Sequence, residues 1–492
     1  MSEFLNQLRA IAGQDPGRPA LRDSVERLSY GELHRRVEQR AASLAQQHGI
    51  SQGNRVVLYL TNSCDAVISL LAVMRIGAVF SILSQISREF HLRHILEDCA
   101  PALILTDSSA QAEFLAGIAP PLTPSAPVSQ VDRGDPAALA TAMRDDDPSA
   151  CLIYTSGSTG MPKAIHSRRC SMEFVGRAIQ SVLKLRADDR IGCVLPLSFD
   201  YGLYQVFLTL LSGAELVLGD PGIAGPQIVR WLGDNGITVF PLSPGIAQPM
   251  ARMARRSGLT LPELRLVTST GSHFSSADID ALRGSFPQLR IAPMYGLTEC
   301  KRVAILPPED VDRKPGSVGL PLPGTRCWIR GDDGEALAPN HRGELVVEGA
   351  HVMDGYWNAE ALTAQRFELR DELRRLYSGD ICSMDEEGYL YFHGRRDDTY
   401  KRGGFRANVF EIEHAARTLT GVDRAAAFIL PGEQKVVLAV ETGLLEVGGI
   451  RAALAQMLEP YKLPDEIVLL AQIPRNANGK TNYAACREHF SQ

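Results

Sequence analysis

The segment at residues 155–163, TSGSTGMPK, has the composition of a phosphate-binding loop. It combines hydroxyl-bearing residues, two glycines and a lysine, and it follows the apolar run CLIYT at 151–155, which predicts a buried strand. Glycines let backbone N–H groups approach a phosphate, and the hydroxyls and the ammonium add donors. The kinase-type pattern GxxxxGK[ST] does not fit the segment. We therefore predict an anion site of another kind, with a flexible surface turn as the alternative.

Six further segments follow that match the pattern of one family. They are FDYGLYQ at 199–205, MYGLTE at 294–299, GELVVEG at 343–349, YSGD at 377–380, GRRDD with KRGGFR at 394–406, and NANGK at 476–480. Together with TSGSTGMPK, and in the same order, they resemble the adenylate-forming superfamily of acyl-CoA synthetases, nonribosomal peptide adenylation domains and luciferases. The resemblance covers nearly the whole chain. It is greatest to stand-alone ligases that load amino acids onto carrier proteins.

The resemblance implies an ATP-dependent reaction in two steps. The carboxylate of an acid attacks the α-phosphorus, pyrophosphate leaves, and the acyl group of the acyl-AMP then passes to a thiol. Lys480 resembles the lysine that enters the site during adenylation, and Asp397 falls where the family has its hinge residue. After rotation about that hinge, the face that carries Lys401 turns toward the site of thiol attack. Lys480 and Lys401 are therefore the expected catalytic residues, although a solvated surface lysine is the alternative for each.

The same resemblance assigns the nucleotide contacts. Tyr295 offers an aromatic face for adenine, Asp380 accepts hydrogen bonds from the ribose hydroxyls, and Arg395 helps to hold the ribose. Glu299 supplies a hard oxygen ligand suited to Mg²⁺. The remaining expected ATP-binding residues are Thr155, Ser156, Gly157, Ser158, Thr159, Gly160, Lys163, Gly271, Ser272, Gly296 and Thr298.

The pocket for the acid is expected around FDYGLYQ. In amino-acid-activating relatives the aspartate of this motif binds the substrate's ammonium, and Asp200 matches it. A carboxylate in an apolar pocket is costly unless it meets a cation. Alternatively, Asp200 caps a helix. Tyr201, Tyr204 and Met294 are expected to line the pocket.

Arg302 also falls at a position that lines the pocket in relatives. It belongs to a CKR segment that is unusual for amino-acid-activating relatives. Three roles stay open for Arg302. It binds a second carboxylate, it pairs with Asp200, or it faces solvent.

The leading prediction is a ligase that activates a small amino or imino acid such as proline and loads it on the phosphopantetheine of a separate acyl or peptidyl carrier protein. The alternative within the enzyme class is an acyl-CoA synthetase with coenzyme A as acceptor and a non-amino acid as substrate. A luciferase-like oxygenase and a catalytically silent binding protein are more remote alternatives. The silent protein would be expected to lack the nucleotide and lysine motifs, all of which are present.

The elements that must position these residues alternate between helix and strand. Ser29 and Glu32 match a capping box, an apolar stripe follows, and Gly49 ends the helix. RVVLYL at 55–60 predicts a buried strand, and helices are expected over 64–75 and 89–97. This alternation predicts an α/β fold in which a mostly parallel sheet is covered by helices on both faces.

Two domains are expected. A large N-terminal domain of layered α/β sheets spans 1–396, and a small mobile α+β domain spans 397–492. Residues 115–148, rich in Pro, Asp and Ala, are expected to form a surface connection. In the C-terminal domain we expect helices at 409–420 and 448–458 and strands at 424–430, 435–441 and 466–471.

Composition sets limits on the class of protein. The 492 residues include 45% hydrophobic and 22% charged residues, with a net charge of −6, so bulk charge does not point to nucleic acid or anionic lipid. The N-terminal residues predict no signal peptide, and no stretch of 18 apolar residues occurs in the sequence. The nine cysteines form no CxxC pair, which favours free thiols in a reducing cytoplasm.

Overall fold

The structure, a computed structural model, describes residues 2–85, 87, 89–119, 123–131, 134–139, 149–156, 162–224, 227–271, 274–396, 399–402, 405–430, 435–458, 460–476 and 479–490. The chain forms two compact units. The first contains residues 1–313, 321–326 and 348–376, and the second contains residues 314–320, 327–347 and 377–492. The predicted boundary between a large domain at 1–396 and a small domain at 397–492 stays a prediction.

The α-helices of the described residues are α1 Glu3–Gln14, α2 Tyr30–His48, α3 Cys64–Ile76, α4 Glu89–Cys99, α5 Ser109–Ile118, α6 Arg169–Leu183, α7 Asp200–Ser212, α8 Ile228–Asp234, α9 Pro244–Ser257, α10 Ser276–Ser285, α11 Glu360–Arg366, α12 Val409–Thr418, α13 Val447–Met457 and α14 Tyr483–Phe490. Among these residues no helix is both long and apolar enough to cross a membrane.

The β-strands of the described residues are β1 Pro19–Arg22, β2 Arg27–Ser29, β3 Arg55–Tyr59, β4 Val79–Ile82, β5 Leu103–Thr106, β6 Ser125–Pro127, β7 Ser149–Ser156, β8 Pro162–Arg168, β9 Arg190–Cys193, β10 Glu215–Leu218, β11 Val239–Leu242, β12 Leu266–Ser269, β13 Arg290–Tyr295, β14 Ala304–Ile305, β15 Leu320–Pro321, β16 Arg326–Arg330, β17 Gly343–Glu348, β18 Gly355–Tyr356, β19 Phe367–Arg370, β20 Leu373–Met384, β21 Leu390–Arg395, β22 Thr399–Arg402, β23 Phe405–Asn408, β24 Arg424–Ile429, β25 Val436–Glu441 and β26 Glu466–Leu470.

The first unit contains two mostly parallel sheets. One has the order β18-β8-β7-β4-β3-β5-β6, and the other includes the run β14-β13-β12-β11-β9-β10-β1-β2. Within them β7-β4-β3-β5-β6 and β13-β12-β11-β9-β10-β1 pair in parallel. Near-continuous apolar strands of this kind are buried on both faces. The α/β fold class is therefore confirmed.

Local sequence signals explain the helix ends of this unit. The side chain of Ser29 accepts from the backbone of Glu32 and the glutamate reciprocates, so the predicted capping box is present. Gly49 and Gly77 end α2 and α3 in the left-handed conformation, with φ of 64° and 79°, which glycine adopts without a Cβ penalty.

One expectation about the first unit is wrong. Residues 115–148 do not form only a surface connection, because α5 extends to Ile118 and β6 adds a strand to the sheet beside β5. The strand was missed because it has three residues and includes Pro127. It lies at the sheet edge, where a missing N–H donor is tolerated.

The second unit has its own core. Strands β24, β25 and β26 form a sheet against α12 and α13, with Ile412, Leu438 and Leu454 fully buried. Elsewhere in the unit β17 lies beside β20, which pairs with β21. Several contacts join these strands and their flanks to the residues after position 397, including a hydrogen bond of 3.0 Å from the Asn408 side chain to the Arg395 carbonyl. The rings of Phe392 and Phe410 lie 5.2 Å apart, and Arg342 forms an ion pair of 2.9 Å with Glu411.

Candidate active site

The predicted phosphate loop connects two antiparallel strands of the first unit. Strands β7 and β8 pair so that Thr155 lies opposite Lys163, and the Thr155 hydroxyl donates to the Lys163 carbonyl at 3.5 Å. The hairpin therefore holds the two ends of the loop together. Gly157, Ser158, Thr159 and Gly160 lie outside the described residues, as does the side chain of Ser156.

Two more predicted nucleotide segments meet at one edge of the other sheet. Strands β12 and β13 are parallel neighbours, so the residues that follow them emerge at the same edge, where α/β proteins bind ligands. Gly271 follows β12 with a φ of 95°, and Tyr295 and Gly296 stand at the end of β13. Ser272 lies outside the described residues.

Gly296 occupies a position where only glycine fits. A Cβ there would overlap the carbonyl oxygen of Lys301. The segment between them folds back tightly, because the Val303 N–H donates to the Tyr295 carbonyl at 2.9 Å and Lys301 adopts a φ of 60°. This turn sets the positions of Thr298 and Glu299.

Glu299 is held by residues outside its motif. The Tyr356 hydroxyl donates to its Oε1 at 2.7 Å, and Arg366 lies 3.9 Å from the same oxygen. The backbone of Met353 donates to the Glu299 carbonyl at 2.9 Å. Within the described part of the chain no cluster of three His, Cys, Asp or Glu residues could hold a metal ion, so an ion at Glu299 would take its other ligands from phosphate and water.

Asp200 is the first residue of α7. The alternative in which it caps that helix is wrong, because Phe199 occupies the N-cap position. The carboxylate is partly exposed and makes neither a hydrogen bond nor an ion pair with any described residue.

The four other predicted substrate residues surround one cavity. Tyr201, Tyr204, Met294 and Arg302 all line it, together with Thr268 and mainly apolar side chains. The Tyr201 hydroxyl bonds to Thr268 Oγ1 at 2.6 Å. Burial raises the pKa of Tyr204 well above its usual value, so the phenol stays neutral.

Arg302 is buried within this cavity. The residue is 6% exposed, its Nη1 donates to Thr270 Oγ1 at 2.7 Å, and its guanidinium lies 5.2 Å from the centre of the Tyr201 ring. Solvent exposure is therefore excluded. No described carboxylate forms an ion pair with Arg302 in this structure, although the charge of Asp200 acts on the guanidinium. Burial lowers the pKa of Arg302 and the field of Asp200 opposes that shift.

Asp380 and Arg395 face each other across β20 and β21 in the second unit. They are direct register partners, and Arg395 Nε lies 3.3 Å from Asp380 Oδ1. Asp380 is 3% exposed. Its backbone N–H donates to the Ser378 hydroxyl at 3.0 Å. The two predicted ribose-binding residues therefore form one pair.

Lys480 lies in a tight turn of the second unit. Its N–H donates to the Asn476 side chain at 3.0 Å, and its carbonyl accepts from the Asn476 N–H at 2.8 Å. Lys401 is in β22, with Arg406 of β23 as its register partner. The side chain of Lys401 and the whole of Asp397 lie outside the described residues.

Sequence reasoning missed four residues of the candidate site. Thr268 and Thr270 bond to the cavity residues Tyr201 and Arg302, and both lie just before Gly271 and Ser272, which the sequence assigns to ATP binding. Tyr356 lies nearly sixty residues from Glu299 and carries no local signal. Lys301 is 4% exposed, although its place between Cys300 and Arg302 is typical of a surface charge.

Known proteins are similar to this chain over most of its length. The family model for AMP-binding enzymes matches residues 8–357. The indoleacetate–CoA ligase of Aromatoleum aromaticum is 30% identical and covers 98% of this chain and 96% of its own. The L-proline–[L-prolyl-carrier protein] ligase of Pseudomonas fluorescens is 29% identical over 96% of each chain. The complex of VinN with L-aspartate is 33% identical with a TM-score of 0.72, and it covers 80% of this chain and 98% of its own.

The fold, the motifs and these relatives define an AMP-forming ligase that uses ATP. The chain belongs to the family of AMP-binding enzymes.

Proposed function

We propose that the chain activates a small amino or imino acid, the class that includes proline, and transfers it to the phosphopantetheine thiol of a separate carrier protein. The observation that carries this proposal is the carboxylate of Asp200. It stands at the start of α7, is partly buried, and has no hydrogen-bonding partner among the described residues. A substrate ammonium would supply that partner, since a partly buried carboxylate is stabilised by a cation.

Two relatives support an amino acid as substrate. The Pseudomonas fluorescens protein is named for the loading of L-proline on a carrier protein, and VinN was solved with L-aspartate. Both amino acids carry a cationic nitrogen next to a carboxyl group.

The described residues are compatible with ATP and Mg²⁺. The Glu299 carboxylate has two oxygens, of which Oε1 accepts from Tyr356, so lone pairs are left for a hard cation that shares phosphate oxygens. Lys163, at the end of the loop hairpin, would neutralise phosphate charge. In the second unit the Asp380 carboxylate would accept hydrogen bonds from the ribose hydroxyls, beside Arg395.

We assign the two chemical steps to the two lysines. Negative charge gathers on the α-phosphate and the attacking carboxylate during adenylation, and the ammonium of Lys480 would stabilise it. A charge pair about 4 Å apart is worth roughly 4 kcal/mol at an effective dielectric near 20. Rotation about Asp397 would then exchange Lys480 for the Lys401 face in the thiol-transfer step.

A second candidate function is an acyl-CoA synthetase that acts on an acid without an amine. The similarity to indoleacetate–CoA ligase, which extends over 96% of that protein, favours it as strongly as the prolyl ligase favours the first. The substrate's ammonium and the identity of the thiol distinguish the two functions.

The test is pyrophosphate release with ATP and Mg²⁺ against matched acids with and without an amine. We would compare wild type, Asp200→Asn, and the control Asp188→Asn, which changes an exposed carboxylate. The proposal expects activity with amino acids in wild type and in the control, and a loss of about 10- to 100-fold in Asp200→Asn. Activity restricted to amine-free acids would overturn it. Thioester formation with coenzyme A but not with a phosphopantetheinylated carrier would replace the proposed acceptor.

A further inference from the structure

We infer that the acid substrate carries a second carboxylate, which Arg302 binds inside the cavity lined by Tyr201, Tyr204 and Met294. This inference rests on the proposed function and narrows its substrate class to acidic amino acids. One carboxyl group would react with ATP, the ammonium would meet Asp200, and the other carboxylate would meet Arg302.

The first argument is the bonding of the guanidinium. Arginine has five N–H donors in a planar fork. Nη1 of Arg302 donates to Thr270, whereas Nε is buried and has no partner among the described residues. A buried donor of a charged group that stays unpaired is costly, and a carboxylate is the ligand that the arginine fork matches.

The second argument is the wall of the cavity. Apart from the tyrosines, Gln205 and Thr268, the residues that line it with Arg302 are apolar, among them Ile179, Leu183 and Leu208. The Tyr204 hydroxyl is also buried without a partner among the described residues. The cavity thus offers unused donors but no carboxylate to the guanidinium.

The third argument is the balance of charge. Lys301 is 4% exposed, and its Nζ has no partner within the described part of the chain. Burial raises the pKa of the Cys151 thiol, while the charges of Lys301 and Asp200 act on it with opposite sign. Lys301 and Asp200 therefore share one neighbourhood, and Asp200 also acts on Arg302. Two buried basic side chains, Lys301 and Arg302, thus lie in a neighbourhood with one carboxylate, Asp200, and a second carboxylate on the substrate would add a counter-charge.

Arg302 could instead serve the fold alone, through Thr270 and the face of Tyr201. That role would leave the preference between charged and neutral substrates unchanged. The experiment must therefore measure a preference rather than an activity.

The test compares each acidic amino acid with its amide. Pyrophosphate release is measured with aspartate and asparagine, with glutamate and glutamine, and with proline and succinate. The enzymes are wild type, Arg302→Gln, Arg302→Lys and the control Arg290→Gln, which changes a half-exposed arginine paired with Glu309. The ratio of kcat/KM for an acid to that for its amide is internal to each protein, so partial misfolding of a variant does not alter it.

We expect wild type and Arg290→Gln to favour one acid over its amide by about 10- to 100-fold. Arg302→Gln should remove most of that ratio, and Arg302→Lys should retain part of it because the charge remains. Wild type that prefers proline or an amide would overturn the inference and leave the proposed function intact. A preference for succinate over every amino acid, lost in Arg302→Gln, would support the arginine site and overturn the amino-acid proposal instead. An unchanged ratio in Arg302→Gln would assign Arg302 to the fold.

Discussion

The hydroxyl of Tyr356 donates a hydrogen bond of 2.7 Å to Oε1 of Glu299. Tyr356 lies in β18, which pairs with β8, the strand that follows the predicted phosphate loop. Strand β18, which pairs with the strand that follows the loop, therefore orients the Glu299 carboxylate, the proposed ligand of Mg²⁺. Partners of this kind fix the geometry of a metal ligand.

Tyr356→Phe should raise the Mg²⁺ concentration needed for half-maximal adenylation by about 10-fold. The variant loses the donor that orients Glu299 and keeps the aromatic packing against Phe367. The measurement is pyrophosphate release against Mg²⁺ at saturating ATP. Tyr59→Phe is the matched control, because it removes a hydroxyl that donates to the Gln85 carbonyl. An equal Mg²⁺ requirement in wild type and Tyr356→Phe would contradict the proposed role of Glu299 or of its partner.

Lys480→Ala should fold and bind ATP but lose about 10²- to 10³-fold in the rate of adenylation. The ammonium would act only while charge builds on the α-phosphate, so ATP binding is spared. ATP affinity and the single-turnover rate of adenylate formation measure the two effects separately. Lys435→Ala, which breaks a pair with Glu466 in the same unit, is the control. Normal adenylate formation by Lys480→Ala would refute the assignment.

His351 should make the protein sensitive to acid. Its ring is fully buried 5.6 Å from the Phe174 ring, and neither nitrogen has a partner among the described residues. Burial lowers the pKa of His351 to about 4, whereas an unfolded histidine titrates near 6.5. The stability that depends on a neutral His351 is fully present above pH 6.5. It is lost as the pH falls toward 4, because over that range only the unfolded chain takes up the proton.

At pH 5 this loss is about 2 kcal/mol in the free energy of unfolding. Urea denaturation of wild type and His351→Leu at pH 7.5 and pH 5 measures it. The variant should lose less stability between the two pH values, whereas His341→Gln, at an exposed site, should behave as wild type. Equal losses in wild type and His351→Leu would show that the imidazole is accessible to protons.

Gly296→Ala should destabilise the first unit by about 1 to 3 kcal/mol. The new methyl group would overlap the Lys301 carbonyl, and relief would displace the turn that leads to Glu299. Thermal unfolding and adenylation should both be impaired. Gly284→Ala is the matched control, because its Cβ meets no atom within 4 Å near the end of α10, and it should be neutral or slightly stabilising. Equal melting temperatures of wild type and Gly296→Ala would show that the turn accommodates the methyl group without loss of stability.

Most of the fold follows from local sequence signals. The caps at Ser29 and Gly49 define α2, and apolar runs define β3 and the strands of the second unit, so these elements were predicted within a few residues. The three-residue strand β6 was not predicted, because edge strands with proline have weak signals. Residues 314–320 and 327–347 belong to the second compact unit through contacts that are distant in sequence, which no local signal indicates.

Within the candidate site, the residues that belong to sequence motifs were predictable. The residues Tyr201, Tyr204, Met294 and Arg302 were expected to share a pocket, and the structure places all of them around one cavity. The burial of Arg302 and its bond to Thr270 were not predictable, because a basic CKR segment suits solvent equally well. The chain returns beside β13 and brings Arg302 to Thr270, at the end of β12, where the guanidinium is buried.

Residues after position 397, called the tail here, contact β21 and the residue before β17. These contacts affect the equilibrium between conformations of the tail. Phe410 packs on Phe392, and Glu411 pairs with Arg342, so residues on both sides of position 397 are joined within one compact unit. A rotation of the tail about that position would exchange both contacts for others or for water. Under the proposed rotation the two pairs would add to the free-energy difference between the conformations and bias the resting population toward one of them.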